Sequence, residues 1–249
     1  MEYNGTKVVL SLYDYTAVAV RPWAEAGYTC ICLDIQHTNT AEPTKNNGMI
    51  LYAKCDLHSP DAVDRVLSIV DSFNVVFGMA FPVCTDLAVS GASRFQSKAA
   101  IDPLFQEKAV GYAVDCSHIF ENIGCGYFIE NPVSVLSTKW RKPDYIFSPH
   151  QYGGYIPYED SEHPLYPEYI PARDAYKKRT CLWTGNDYKM PEPKPVPLAE
   201  SYGNGYSRQM MKLGGKSVRT KNIRSATPRG FSIANFEANN NLIRLETQK

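Results

Sequence analysis

Four side chains with chemical potential stand at matching places in the sequence. Asp34, Asp56, Cys84 and Glu130 each close a short apolar run. Cys84 carries the most reactive group. It lies in FPVCTDLAVSGA (81–92), directly after the apolar VVFGMAF of 75–81, and a loop of small polar residues follows it. A thiol attacks as its thiolate, and a thiolate adding to an electron-poor double bond needs an acid to quench the charge it creates. Glu130, in YFIENP (127–132), is a carboxyl that burial could keep protonated for that purpose. The pair suits covalent activation of a pyrimidine: sulfur adds at C6, Glu130 protonates N3, and C5 becomes an enamine-like nucleophile. Residue type alone also permits a plainer reading. Free cysteine is often a small core residue, and Glu130 would then cap a loop.

These residues need a frame. KVVLSLY (7–13), TCICLDI (29–35), MILYAKCDL (49–57), VVFGMAFP (75–82) and YFIENP (127–132) read as strands. Between them, RPWAEAGY (21–28) reads as a helix ending at Gly27, and DAVDRVLSIVDSF (61–73) as an amphipathic helix capped by Ser59-Pro60. Residues 102–124 form a long helix with a glycine stop, and 37–48 a loop. Repeated strand–helix–strand units predict an α/β fold, a doubly wound and mostly parallel sheet. Ligands of such sheets sit beyond the carboxyl ends of the strands, where Asp34, Asp56, Cys84 and Glu130 all fall. Past residue 140 the chain turns dense in Pro, Tyr and Gly and reads as an irregular excursion. KKRTCLWTG (177–185) returns as a strand, MPEPKPVPL (190–198) is an extended connector, and RSATPRGFSIANFEANN (224–240) contains an amphipathic helix.

At 249 residues with zero formal net charge, the composition is that of a soluble globular chain. No apolar run approaches a membrane span and the N-terminus has no signal-peptide pattern, so a cytoplasmic protein is expected. Seven cysteines, an odd number with no CxxC pair, argue against a disulfide framework and against a structural metal. Charge is uneven along the chain. From Ser201 onward nine Lys or Arg (208, 212, 216, 219, 221, 224, 229, 244, 249) face only Glu237 and Glu246. That points to a phosphate-bearing partner, or to a merely solvated basic tail.

The order of these motifs resembles the DNA cytosine-5 methyltransferase family, especially its compact phage-encoded members. Pro82-Val83-Cys84 is similar to the family's Pro-Cys motif with one Val inserted, and Glu130-Asn131-Pro132 to its Glu-Asn-Val motif. Asp34, followed by Ile35, falls where the family binds the cofactor ribose, and Cys55-Asp56-Leu57 where it meets the adenine amino group. SLYDYTAVAVRPWAEAGY aligns with the first cofactor motif, and Ala226-Thr227-Pro228-Arg229 with a late Thr-Pro-Arg motif. The resemblance implies a Rossmann-like methyltransferase fold in one domain, with 1–135 as core and 136–249 as an irregular, basic, substrate-facing part. It also implies S-adenosyl-L-methionine as cofactor and DNA as partner, in a host cytoplasm for a viral protein. Cys84, Glu130 and Arg179 would be catalytic. Tyr13, Asp14, Tyr15, Asp34, Ile35, Asp56, Leu57 and Pro82 would line the cofactor, and Ser90, Arg94, Asn131 and Lys178 the substrate.

Two departures qualify what the resemblance implies. The family's Asp-x-Phe-x-Gly-x-Gly-Gly reads here as Ser11, Tyr13, Tyr15, Ala17 and Val18, with Asp14 placed to replace the missing acid. Glycines there let backbone approach a ligand, and a tyrosine side chain fills that space. About forty residues separate CLWTG from ATPR, well short of the family's target-recognition domain. The function classes are therefore a cytosine-C5 transferase on DNA, C5 chemistry on a free pyrimidine nucleotide or with a non-methyl group, and a non-catalytic DNA-binding or anti-restriction protein.

Overall fold

The computed structural model describes residues 6–199, 213 and 217–240. The basic residues 208, 212, 216, 244 and 249 lie outside that set.

β1 (Lys7–Leu12), α1 (Arg21–Glu25), β2 (Thr29–Asp34), β3 (Thr40–Pro43), β4 (Met49–Lys54), α2 (Ala62–Val70), β5 (Asn74–Ala80), α3 (Phe95–Ala99), α4 (Phe105–Ile123) and β6 (Gly126–Pro132) follow one another. α5 (Leu136–Lys139), β7 (Tyr145–Phe147), β8 (Thr180–Gly185), α6 (Val218–Ser225) and α7 (Arg229–Asn239) complete the regular elements among the described residues. The eight strands form one sheet in the order β3-β4-β2-β1-β5-β6-β8-β7. β4, β2, β1, β5 and β6 run parallel to their neighbours. β3 and β8 are antiparallel to β4 and β6. The chain winds outward from β1 in one direction and then, through β5, in the other. The topological switch point therefore lies between β1 and β5, and the mixed α/β, mostly parallel architecture is the one the sequence predicts.

Strands buried on both faces lose the alternating pattern of a half-exposed sheet. Val8, Val9, Leu10 and Leu12 of β1 are all fully buried. α2 and α4 cover one face, with Val66, Val70, Ala113, Ile119 and Phe120 packed against Leu10, Leu33 and Ile129. α1 is followed by Gly27 at φ 97° and α4 by Gly124 at φ 79°, left-handed helix stops as expected.

Other expectations need correction. Residues 40–43 of the supposed loop make an edge strand, whose Thr-Ala-Glu-Pro sequence carries no β signal of its own; pairing with β4 decides it. The Ser59 hydroxyl does not cap α2, because it donates to the Asp56 carbonyl at 2.9 Å, and Asp61 is the N-cap residue. The irregular excursion contains β7; the amphipathic helix expected within 224–240 is there as α7, with Pro228 as its N-cap residue, and α6 precedes it.

Residue contacts gather the chain into two compact units. The first comprises Met1–Tyr15, Ala24–Ile146 and Arg179–Tyr188; the second Thr16–Trp23, Phe147–Lys178 and Lys189–Lys249. The first holds nearly the whole sheet. Within the second, α7 lays Phe231 against Phe147 (4.2 Å between ring centroids) and Tyr152 (5.3 Å).

Candidate functional site

Two neighbouring parallel strands deliver the candidate nucleophile and acid to one edge of the first unit. β5 and β6 are in register to Ala80↔Ile129, the last pair before Phe81 and Glu130. Just beyond, the buried Asn131 donates its Nδ2 to the Pro82 carbonyl at 2.9 Å, fixing the approach to Cys84. Proline suits that place because it has no N–H to leave unpaired. Val83, the residue inserted before the cysteine, turns to solvent. The Cys84 carbonyl then accepts from Leu87 N (3.0 Å) and Ala88 N (2.9 Å), making a tight turn. The segment after it is zipped to the segment after β6 by Val89 N–Val133 O (3.1 Å), Val135 N–Leu87 O (3.0 Å) and an Ala88↔Ser134 bridge.

Exposure separates Cys84 from the other six cysteines. Cys30, Cys32, Cys55, Cys116, Cys125 and Cys181 are buried and Cys84 alone is partly exposed. Burial pushes the thiols of Cys55, Cys116 and Cys181 upward, and that of Cys125 to about 12. Such thiols are inert as nucleophiles.

β8 runs against β6, so its first residue, Thr180, pairs with Pro132 at the far end of β6. This reversal brings the exposed Arg179 to the same edge as Glu130. Both charges reach the Cys181 thiol, Glu130 raising its pKa and Arg179 lowering it, although burial is the larger effect. Lys178 is buried and falls in the second unit. Ser90 and Arg94 are exposed on a 3-10 turn, Val89–Arg94, that leads into α3.

On the other side of the switch point stand the residues assigned to a nucleotide cofactor. Asp34 ends β2 and its Oδ1 accepts Gln36 N at 2.8 Å, with Ile35 exposed beside it. Asp56 lies two residues beyond β4, its Oδ1 accepting His58 N at 3.0 Å. Tyr13 adopts φ 58° and Ala17 φ 54°. The turn thus keeps left-handed steps without glycine, at a cost of about 1–2 kcal/mol each. The Tyr13 hydroxyl donates to the Leu57 carbonyl at 2.9 Å, across the end of β2, and burial pushes that phenol upward. Asp14 is buried and accepts the Ser11 hydroxyl at 2.9 Å.

Several residues here escaped the sequence reading. His37 is buried, its Nε2 lies 3.0 Å from the Asp14 carbonyl, and Tyr15 and Tyr52 pack on its ring. A carbonyl only accepts, so Nε2 carries the hydrogen. His58 stacks on Tyr112 with centroids 3.9 Å apart, and loss of water around the ring lowers its pKa against the pull of Asp56 and Asp34. Their only sequence signal is proximity: His37 follows Ile35 by two residues and His58 follows Leu57 directly. Trp140 is a packing residue: it stacks on Trp183 (6.2 Å) under Arg141 (5.0 Å), which pairs with Asp144.

The donor set offers a nucleoside a carboxylate at each of two strand ends and an exposed apolar Ile35. It does not offer a methionine tail the open glycine turn of the family, because Tyr13 is tied across the crevice and Asp14 is turned inward. Asp34, Ile35 and Asp56 suit the adenosyl half of S-adenosylmethionine.

No protein-family profile and no curated protein matches the sequence. Among solved structures, the chain is similar to a candidate DNA modification methyltransferase encoded within a prophage (E. coli). The TM-score is 0.47 and the identity 11%, over 78% of this chain and 53% of that one. The chain thus spans about half that protein's length, and activity does not transfer at such identity. No described helix is long and apolar enough to cross a membrane. The strand order, with a parallel sheet wound both ways from β1 and a reversed β8 beside β6, is that of a doubly wound α/β fold.

Proposed function

We propose that the first unit activates cytosine in DNA at C5, through a covalent adduct of Cys84 at C6, with S-adenosylmethionine as methyl donor. The carrying observation is that Cys84 alone among seven thiols is accessible, on a strand end adjacent to that of Glu130. The Cys84 thiolate forms the S–C6 bond while the C5=C6 electron pair shifts through the ring and N3 takes the Glu130 proton. C5 is then electron-rich. An electrophile bonds there as the N3 proton returns to Glu130; loss of the C5 proton to solvent and departure of the thiolate restore the double bond. Asn131 positions the Pro82–Cys84 turn, and Arg179 offers a cation to the base O2 or a phosphate. Bound at Asp34, Ile35 and Asp56, the cofactor would supply the methyl group. The base must leave the stack to meet the thiolate.

Part of this chemistry needs no cofactor. In D2O, the activated C5 can take a deuteron and lose its hydrogen, leaving cytosine labelled at a carbon that does not wash out. Genomic DNA incubated with the protein in D2O and read by nucleoside mass spectrometry is expected to gain C5 deuterium. Cys84→Ser should abolish the gain, and Glu130→Gln should slow it by about a hundredfold or more. Label that persists in Cys84→Ser would refute the mechanism. The short segment between CLWTG and ATPR favours a second reading, a free pyrimidine nucleotide as substrate; label in dCMP but not in DNA would select it.

A further inference from the structure

Ile101 is the most exposed large apolar side chain of the described residues, at 87%. A single exposed isoleucine is unremarkable; its setting is not. The turn between α3 and α4 is held at several points. Ile101 N and Asp102 N both donate to the Lys98 carbonyl, at 3.0 and 2.9 Å. The Asp102 carboxylate accepts Leu104 N at 3.0 Å through one oxygen and pairs with Lys108 at 2.7 Å through the other. A turn so fixed holds its isoleucine in water rather than folding it inward. The same turn is clasped to the nucleophile. Lys98 Nζ donates to the Thr85 carbonyl at 3.0 Å and pairs with Asp86, the two residues immediately after Cys84. Leu104, Val83 and Val89 add further exposed apolar surface to these two linked turns.

We propose that Ile101 is a wedge that enters the base stack of duplex DNA and fills the gap left by the cytosine that reaches Cys84. This rests on the cytosine reading above. A base withdrawn from a duplex leaves unstacked neighbours, and rigidly held apolar side chains are the groups that replace it between base steps. The Lys98 clasp would keep wedge and thiolate in a constant relation, so that filling the stack and presenting the base occur together.

A wedge matters only where there is a stack. The test is C5 deuterium exchange by wild type, Ile101→Ser and Ile101→Leu, on the same genomic DNA in duplex and in heat-denatured form. Ile101→Ser should lose at least about tenfold on duplex and stay within about twofold of wild type on single strands, with Ile101→Leu restoring duplex exchange. The single-strand rate also reports that the variant is folded. Equal losses on both forms, or none on either, would overturn the wedge. Exchange by wild type on neither form would instead remove the cytosine chemistry itself, and the wedge with it.

Discussion

At the scale of single residues, environment rather than type sorts the chemistry. Seven thiols share one sequence, and only the one in the turn after β5 meets solvent. The second unit carries its own strongly perturbed groups. Asp174 is fully buried at φ 50°, and its carboxylate accepts Gly230 N (2.8 Å) in the first turn of α7. Burial raises it from 3.8 to about 6, the Gly230 bond and Arg229 only partly opposing the shift. The folded state therefore holds this proton more tightly than the unfolded chain does. Its contribution is greatest below about 3.8 and is lost as pH rises through about 6. Asparagine keeps the acceptor and tolerates the left-handed backbone. Asp174→Asn should raise stability at pH 8 by up to about 3 kcal/mol, with the gain vanishing near pH 4, as read by urea titrations at matched pH. Matched pH also cancels His163, which burial lowers to about 4 and whose Nδ1 accepts Leu165 N and Tyr166 N.

At the scale of elements, the site depends on how closely β5 and α4 approach. Gly78 in the middle of β5 faces Phe120 of α4, and a Cβ there would lie 2.4 Å from the ring. Phe120 is itself fully buried and has nowhere to retreat. Gly78→Ala should cost roughly 1–3 kcal/mol in chemical denaturation, as overpacked cores do. Local patterning exposed most of these elements. Continuous apolar runs revealed the buried strands, and the glycines at 27 and 124 revealed the helix stops. Elements settled by partners were illegible: Thr40–Pro43 is a strand only because β4 is beside it, and Ser59 was mistaken for a cap because its competing acceptor, the Asp56 carbonyl, is invisible in sequence.

For the whole molecule, zero net charge means that any attraction to DNA must come from where charges sit. Of the described cations after residue 200, Arg219, Lys221 and Arg224 are exposed on α6, a helix with no acidic residue, and Arg224 donates to the Leu213 carbonyl. If Arg219 and Lys221 both meet phosphates, their double substitution to Ala should make log K against log salt shallower by about 1.8, measured by fluorescence anisotropy on duplex DNA. An unchanged slope would assign that face to solvent. The sequence alone determined the α/β class, the strand ends that carry Asp34, Asp56, Cys84 and Glu130, and the missing glycines of the first turn. Periodicity and motif order are local properties, and they survive reading one residue at a time. Only the tertiary structure decided which strands are neighbours, that β8 runs backwards to bring Arg179 to the same edge of the sheet as Glu130, that six thiols are buried and one is not, and that Tyr13 closes on Leu57. Those depend on pairing, burial and desolvation among residues far apart in the chain, and no local pattern encodes them.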